Sequence, residues 1–143
     1  MNSLLEVAVQ YITQMYPWEH VVISDNMVAF NVTSSHYTSL KKIPISLFVE
    51  PKSHLCKACV SQIATVDNSK RNDAVSLCNK LNQVCFFAKF YVDETNAISA
   101  TYHFMPPLED GSDETFQYSC SFNIIMLGDN VDRVIAEIAQ LLA

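Results

Sequence analysis

The chain has 143 residues, which is the length of one domain and enough to bury a hydrophobic core. Half of the residues are hydrophobic and 17% are charged, a composition that excludes an intrinsically disordered chain. The net charge is −6 and the basic runs, Lys41-Lys42 and Lys70-Arg71, are short, which argues against nucleic-acid binding. We therefore predict one domain over residues 1–143.

Apolar residues at helical spacing predict a first helix from about Leu4 to Tyr16. Ser3 is followed three residues later by Glu6, the pattern of a capping box. Pro17 ends the helix because it cannot continue the backbone hydrogen bonds. Trp18, just after the helix, is predicted to anchor the core.

Two strands, 20–24 and 27–32, are predicted on either side of Asp25-Asn26. Asx residues tolerate the positive φ that a two-residue hairpin turn requires. Pairing across this turn predicts a buried face that combines residues of both strands: Val21, Ile23, Val28, Phe30 and Val32.

Alternating apolar residues predict a third strand over 43–49 and a long fourth strand over 55–66, whereas Ser34–Leu40 shows no pattern. Pro44 cannot donate to a ladder, so it indicates a strand start or an edge. The fourth strand would place five small or apolar residues on one face: Cys56, Ala58, Val60, Ala64 and Val66.

A second helix is predicted from about Ser69 to Val84, followed by a hairpin with two possible registers. A four-residue loop, 93–96, would put Phe90 opposite Ser99. A three-residue loop, 94–96, would put Asn96 in the left-handed region, and we favour it because the other register mixes polar residues into the core. The favoured register aligns Phe86, Ala88, Phe90 and Val92 with Ile98, Ala100, Tyr102 and Phe104.

Pro106-Pro107 ends the last strand, and Asp113 or Ser112 caps a third helix. Gly128 fits a helix C-terminus, and Asp129 fits the cap of a further helical segment, so the helix either bends or stops at Gly128. The order is therefore α-β-β-β-β-α-β-β-α-α. We predict an α+β fold, with an antiparallel sheet of about six strands and helices packed mainly on one face.

Residues 77–93 carry a family resemblance. The segment Leu77-Cys78-Asn79-Lys80-Leu81-Asn82 ends a helix and leads into Phe87-Ala88-Lys89-Phe90-Tyr91-Val92-Asp93. This pattern, with its N-x-x-N spacing, resembles the YbjN-like bacterial family, whose fold is similar to that of type III secretion chaperones. The resemblance implies protein binding and dimer formation, and it carries over no catalytic residue.

The sequence predicts no metal, cofactor or catalytic site. Cys56 and Cys59 form a C-x-x-C inside a strand, where the two side chains point to opposite faces and cannot form a disulfide. The five cysteines are interpreted as reduced thiols. A metal site assembled in space from His54, Cys59 and His103 is the alternative to scattered structural histidines.

One surface is a candidate for binding. The second face of the last hairpin would carry two aromatic residues where solvent is expected. Either the N-terminal helix or a loop covers that face, or it is a partner or dimer surface, because aromatic residues anchor interfaces. The residues of this candidate surface are Phe87, Lys89, Tyr91, Thr101 and His103.

These observations favour a non-enzymatic, chaperone-like module that binds a protein or peptide client and forms a homodimer. A small-molecule sensor or enzyme with a cavity between sheet and helices is one alternative, and a structural subunit of a larger assembly is another. No apolar run approaches the ~20 residues that span a bilayer. The N-terminus lacks the basic region of a secretory signal, so we expect a cytoplasmic protein without a membrane partner.

Overall fold

A computed structural model describes residues 1–39, 42–106 and 113–142, so Leu40, Pro107 and Ser112 lie outside the described residues. The described chain forms helices on one side of an antiparallel sheet, as predicted. The helices are α1 (Ser3–Met15), α2 (Arg71–Val84) and α3 (Asp113–Leu142), and the strands are β1 (His20–Ser24), β2 (Met27–Val32), β3 (Ile43–Val49), β4 (Cys56–Thr65), β5 (Lys89–Val92) and β6 (Ala97–Phe104).

The sheet has six strands in the order β1-β2-β3-β4-β6-β5, and all neighbours are antiparallel. β6 lies between β4 and β5, so β1 and β5 are the two edge strands. Pro44 is the second residue of β3 and precedes the part of β3 that pairs with β4, which confirms its predicted place at a strand start.

The core lies between the helices and one face of the sheet. Helix α3 crosses the middle strands, and α1 packs against α3. Trp18 is buried as predicted, and its indole N–H donates to the carbonyl of Thr33 at 3.0 Å. The sheet supplies alternate residues to this core, among them Val28, Phe30, Val32, Ile43, Ile45, Leu47, Val49, Cys56, Ala58, Val60, Phe90, Ile98 and Ala100.

The predicted capping box at Ser3 is wrong by one residue. Asn2 is the N-cap, and its Oδ1 accepts the backbone N–H of Leu5 at 2.8 Å. The Asn2 amide also donates to the carbonyl of Val49 at 3.2 Å, at the end of β3. The same side chain therefore caps α1 and ties it to the sheet, a role that the longer capping-box pattern does not reveal.

The predicted buried face of the first hairpin is wrong for β1. A bulge between Val22 and Ser24 shifts the register, so that Val22 and His20 rather than Ile23 and Val21 lie opposite Val28 and Phe30. All of β1 is exposed, including Val21 at 63%, Val22 at 50% and Ile23 at 57%. The apolar residues of this edge strand therefore face solvent.

Of the two alternatives at Gly128, a helix end is wrong, because α3 continues through it and joins the two predicted segments. Gly128 lies under the side chain of Tyr37, and a Cβ built there would overlap the Tyr37 hydroxyl, with the ring carbon Cζ at 2.8 Å. The buried carboxylate of Asp132, one turn further, accepts the backbone N–H groups of Thr38 and Ser39 at 2.7 and 2.8 Å. The unpatterned segment 34–39 thus docks on α3.

The favoured register of the last hairpin is confirmed. Val92 pairs with Ile98 and Phe90 pairs with Ala100, and Asn96 has a φ of 62°. β5 is shorter than predicted, because it begins at Lys89 and the backbone bends before it. The alternation expected from residue 86 onward therefore starts three residues later.

Candidate functional site

The sheet surface opposite the helices, called the open face below, is the main candidate for binding. None of the described helices covers it, and α1, one predicted cover, packs against α3 on the other side. Strand alternation and register assign to it Met27, Ala29, Ser46, Phe48, Lys57, Cys59, Lys89, Tyr91, Thr101 and His103.

Four of the predicted surface residues share the open face. Lys89 pairs with Thr101 on the neighbouring strand, and Tyr91 lies two residues further along β5. His103 lies two residues beyond Thr101 and pairs with Lys57 of β4. Their role as a partner or dimer surface stays a prediction.

Phe87, the fifth predicted residue, lies on the other side of the sheet. Its ring centroid is 5.5 Å from that of Tyr102 and 5.8 Å from that of Phe122 on α3. Its backbone N–H donates to the side-chain oxygen of Asn130 at 3.3 Å. The bend before Lys89 breaks the strand alternation, which is why the position of Phe87 was predicted wrongly.

Further residues, which were not predicted as part of the surface, complete the open face on β3 and β4. Phe48 and Lys57 lie opposite each other on β3 and β4, and the Lys57 Nζ is 5.9 Å from the centre of the Phe48 ring. Cys59 lies opposite Thr101. The alternation of β3 and β4 already placed these residues away from the core, but the pairing of β4 with β6 joins strands distant in sequence and has no local signal.

The alternation of β4 also determines the surroundings of its two cysteines. Cys56 is buried in the core and Cys59 lies half-buried on the open face, as predicted. Burial raises the pKa of the Cys59 thiol. Among the described residues no group of three His, Cys, Asp or Glu side chains could hold a metal ion, so His54, Cys59 and His103 do not form a site there.

The two edge strands, β5 and β1, differ in whether a side chain satisfies their outward backbone groups. On β5, the side chain of Asn82 donates to the carbonyl of Phe90 at 3.0 Å and accepts its N–H at 2.7 Å. This amide satisfies both backbone groups of Phe90 at the outer edge of β5, as a residue of a further strand would. β1, with Val21, Val22 and Ile23 exposed, is the edge left open to pairing with another chain.

A second apolar surface, called the aromatic cluster below, lies between α3 and the last hairpin. Phe87 joins the two sides, since its ring contacts Tyr102 of β6 and Phe122 of α3. Tyr118, 61% exposed, stacks on Phe122 at 6.3 Å. The ring contacts are internal to the fold, and only the outer members reach solvent.

A cleft beside α3 is lined by charged side chains whose contacts hold the fold together. It has a volume of about 370 Å³ and its walls include Asp129, Asp132 and Arg133. Both oxygens of Asp132 accept backbone N–H groups of the docked segment, and Asp129 pairs with Arg133 at 2.9 Å. Burial, followed by the charges of Asp129 and Asp132, raises the pKa of Tyr37 beside this cleft, which keeps its hydroxyl neutral.

Comparison with known proteins gives no relative for this chain. No family model matches it, and searches of curated proteins and of solved structures returned no match. The resemblance to the YbjN-like family therefore stays a prediction. In the part of the chain that the structure describes, no helix is both long and apolar enough to cross a membrane.

Proposed function

We propose that this chain is a non-enzymatic module that binds an extended segment of a protein or peptide client. The observation that carries the proposal is the open face, on which Phe48 and Tyr91 lie beside two lysines without cover from a described helix. Aromatic residues on an uncovered sheet face give a partner large contact areas. The chaperone-like resemblance of residues 77–93 agrees with this proposal.

The exposed edge β1 supports pairing with a second copy of the chain. An unpaired strand edge offers a row of backbone donors and acceptors, and natural proteins usually protect such edges. Here β5 is protected by Asn82, whereas β1 presents Val22 and its apolar neighbours to solvent. The β1 strand of a second copy added at this edge would extend the sheet and leave the open face free for the client.

The proposal includes a homodimer, with β1 as the contact. Light scattering coupled to size-exclusion chromatography of the reduced protein would then give twice the 16.1 kDa mass of one chain. Val22→Lys should return the mass to that of one chain, because a charged edge residue opposes strand pairing. Val84→Lys, at an exposed position on α2, is the matched control and should leave the dimer intact. A wild-type monomer would refute the dimer and leave client binding to be tested separately.

Peptide selection tests client binding. Peptides enriched from a random phage-displayed library should bind the wild type and lose affinity for Tyr91→Ser, since Tyr91 is 44% exposed on the open face. Tyr118→Ser removes a more exposed tyrosine from α3 and should leave binding unchanged. Bound peptide should also slow alkylation of Cys59, measured at alkaline pH because its pKa is raised. Failure to enrich any peptide, or equal losses in both variants, would contradict the proposal.

A further inference from the structure

The charges of this protein are distributed unevenly between strands and the rest of the chain. The chain has 15 acidic and 9 basic residues, yet the six described strands contain no Asp or Glu. On the open face the strands place Lys57, Lys89 and His103. A protein of net charge −6 therefore presents a sheet surface whose fixed charges are positive.

Lys57 and Lys89 have no ion pair within the described part of the chain, whereas Lys80 and Arg133 do. Lys80 pairs with Glu137 at 3.7 Å, and Arg133 pairs with Asp129. The acidic residues that follow β3 and β5 are engaged locally. Glu50 accepts the backbone N–H of Lys52, and Asp93 accepts three hydrogen bonds inside its own turn.

The spacing of the lysines suits an extended segment. Lys57 and Lys89 lie on strands separated by β6, and their partners His103 and Thr101 are two residues apart. With strands about 4.8 Å apart and a rise of about 3.3 Å per residue, their α-carbons are about 12 Å apart. Residues i and i+4 of an extended chain are about 13 Å apart and point to the same side. Two carboxylates at that spacing can reach both ammonium groups.

Apolar groups lie beside each lysine. Phe48 is opposite Lys57, and Tyr91 is two residues from Lys89 on the same face. A partner side chain that packs on either ring would exclude water from the adjacent ion pair and so strengthen it. A segment of acidic residues alone would leave these rings uncovered.

We propose that the open face selects an extended protein segment that carries two carboxylates four residues apart and apolar or aromatic residues on the same side of the segment. This inference rests on the proposed function and adds the charge of the client. A nucleic acid fits this face less well than an acidic protein segment. Its affinity depends on many phosphate contacts, and the described face offers only these two lysines in a protein of net charge −6.

The test uses fluorescence anisotropy at low ionic strength with three labelled probes: a random copolymer of glutamate and tyrosine, one of lysine and tyrosine, and single-stranded oligothymidylate. The wild type should bind the glutamate copolymer at least about tenfold more tightly than the lysine copolymer, and added salt should weaken binding. Lys57→Glu with Lys89→Glu should weaken it by about tenfold or more.

The matched control is Lys52→Glu with Lys80→Glu, which changes the net charge equally at exposed positions outside the strands. Circular dichroism should show that both double variants fold. Equal losses in the two double variants, preference for the lysine copolymer, or no binding of either copolymer would overturn the inference. Equally tight binding of oligothymidylate, lost in the Lys57/Lys89 variant, would assign the face to polyanions in general. If library peptides still bind through Tyr91 in any of these cases, the proposed function stands and only the charge of the client is wrong.

Discussion

The hydroxyl of Tyr37 lies directly against the backbone of α3 at Gly128, so closely that residue 128 has no room for a Cβ. The tyrosine hydroxyl also donates to the carbonyl of Ile125 at 3.5 Å. Gly128 is thus a point of close approach between the docked segment 34–39 and a continuous helix. The usual cost of glycine inside a helix is accepted here because any side chain would displace Tyr37.

Gly128→Ala should therefore destabilise the wild type by about 1–3 kcal/mol, as overpacking in other cores does. In a Tyr37→Ala background the obstruction is gone, and the same change should stabilise the protein by about 0.5–1 kcal/mol through better helix propensity. Urea unfolding of the four proteins measures both effects. A stabilising Gly128→Ala in the wild type would show that Tyr37 does not occupy this position.

The carboxylate of Asp132 holds the same segment to α3 through two short hydrogen bonds to backbone N–H groups. Asp132→Asn should cost about 2–3 kcal/mol, because the amide loses the charge and turns a donor toward one of these N–H groups. Hydrogen exchange at Thr38 and Ser39 should accelerate in the variant. Asp129→Asn, which breaks an ion pair with the largely exposed Arg133, is the control and should cost less than about 1 kcal/mol.

The two asparagines of the N-x-x-N pattern have different structural roles. Asn82 bonds both backbone groups of Phe90, whereas Asn79 is exposed on α2. Asn82→Ala should lower the free energy of unfolding by about 1–3 kcal/mol, because it leaves a donor and an acceptor of β5 without their partner. Asn79→Ala should change it by less than about 0.5 kcal/mol. Similar effects of the two changes in chemical denaturation would contradict this division.

What the sequence could predict was determined by local chemistry. Alternation and turn residues were sufficient for β3 and for the register at Phe90, because both depend on neighbours in the chain. Gly128 was misinterpreted because the residue that requires a glycine there, Tyr37, lies in a loop without a recognisable sequence pattern. Phe87 was placed on the wrong face of the sheet because a backbone bend interrupts the strand, although the alternation in the sequence continues through it.

The candidate surface was predicted in part for the same reason. The last hairpin is a local structure, so Lys89 and Thr101 could be placed together. Lys57 joins them only through the pairing of β4 with β6, with a helix and a strand in between. Nonlocal pairing is decided by the packing of the whole sheet, which a single strand pattern does not encode.

The turn between β5 and β6 should make stability depend on acid pH. The Asp93 carboxylate accepts hydrogen bonds from the hydroxyl and backbone N–H of Thr95 at 2.6 and 2.8 Å, and from the N–H of Ala97 at 3.0 Å. These bonds, led by the Thr95 hydroxyl, hold the pKa of Asp93 below its ordinary value. Because the folded pKa is lower than the unfolded one, the stabilisation is complete above the unfolded pKa and is lost as pH falls through the folded pKa.

Asp93→Asn keeps the shape of the side chain and an acceptor oxygen but removes this charge. The wild type should therefore be more stable than Asp93→Asn at neutral pH, and the difference should shrink as pH falls below about 4, where the unfolded carboxyl takes up its proton. Thermal unfolding of both proteins across the acid range measures the difference. Glu94→Gln removes a neighbouring charge without changing these hydrogen bonds, and its stability difference from the wild type should not follow the same acid profile. A difference for Asp93→Asn that is constant with pH would mean that the turn depends on the shape of the side chain and not on its charge.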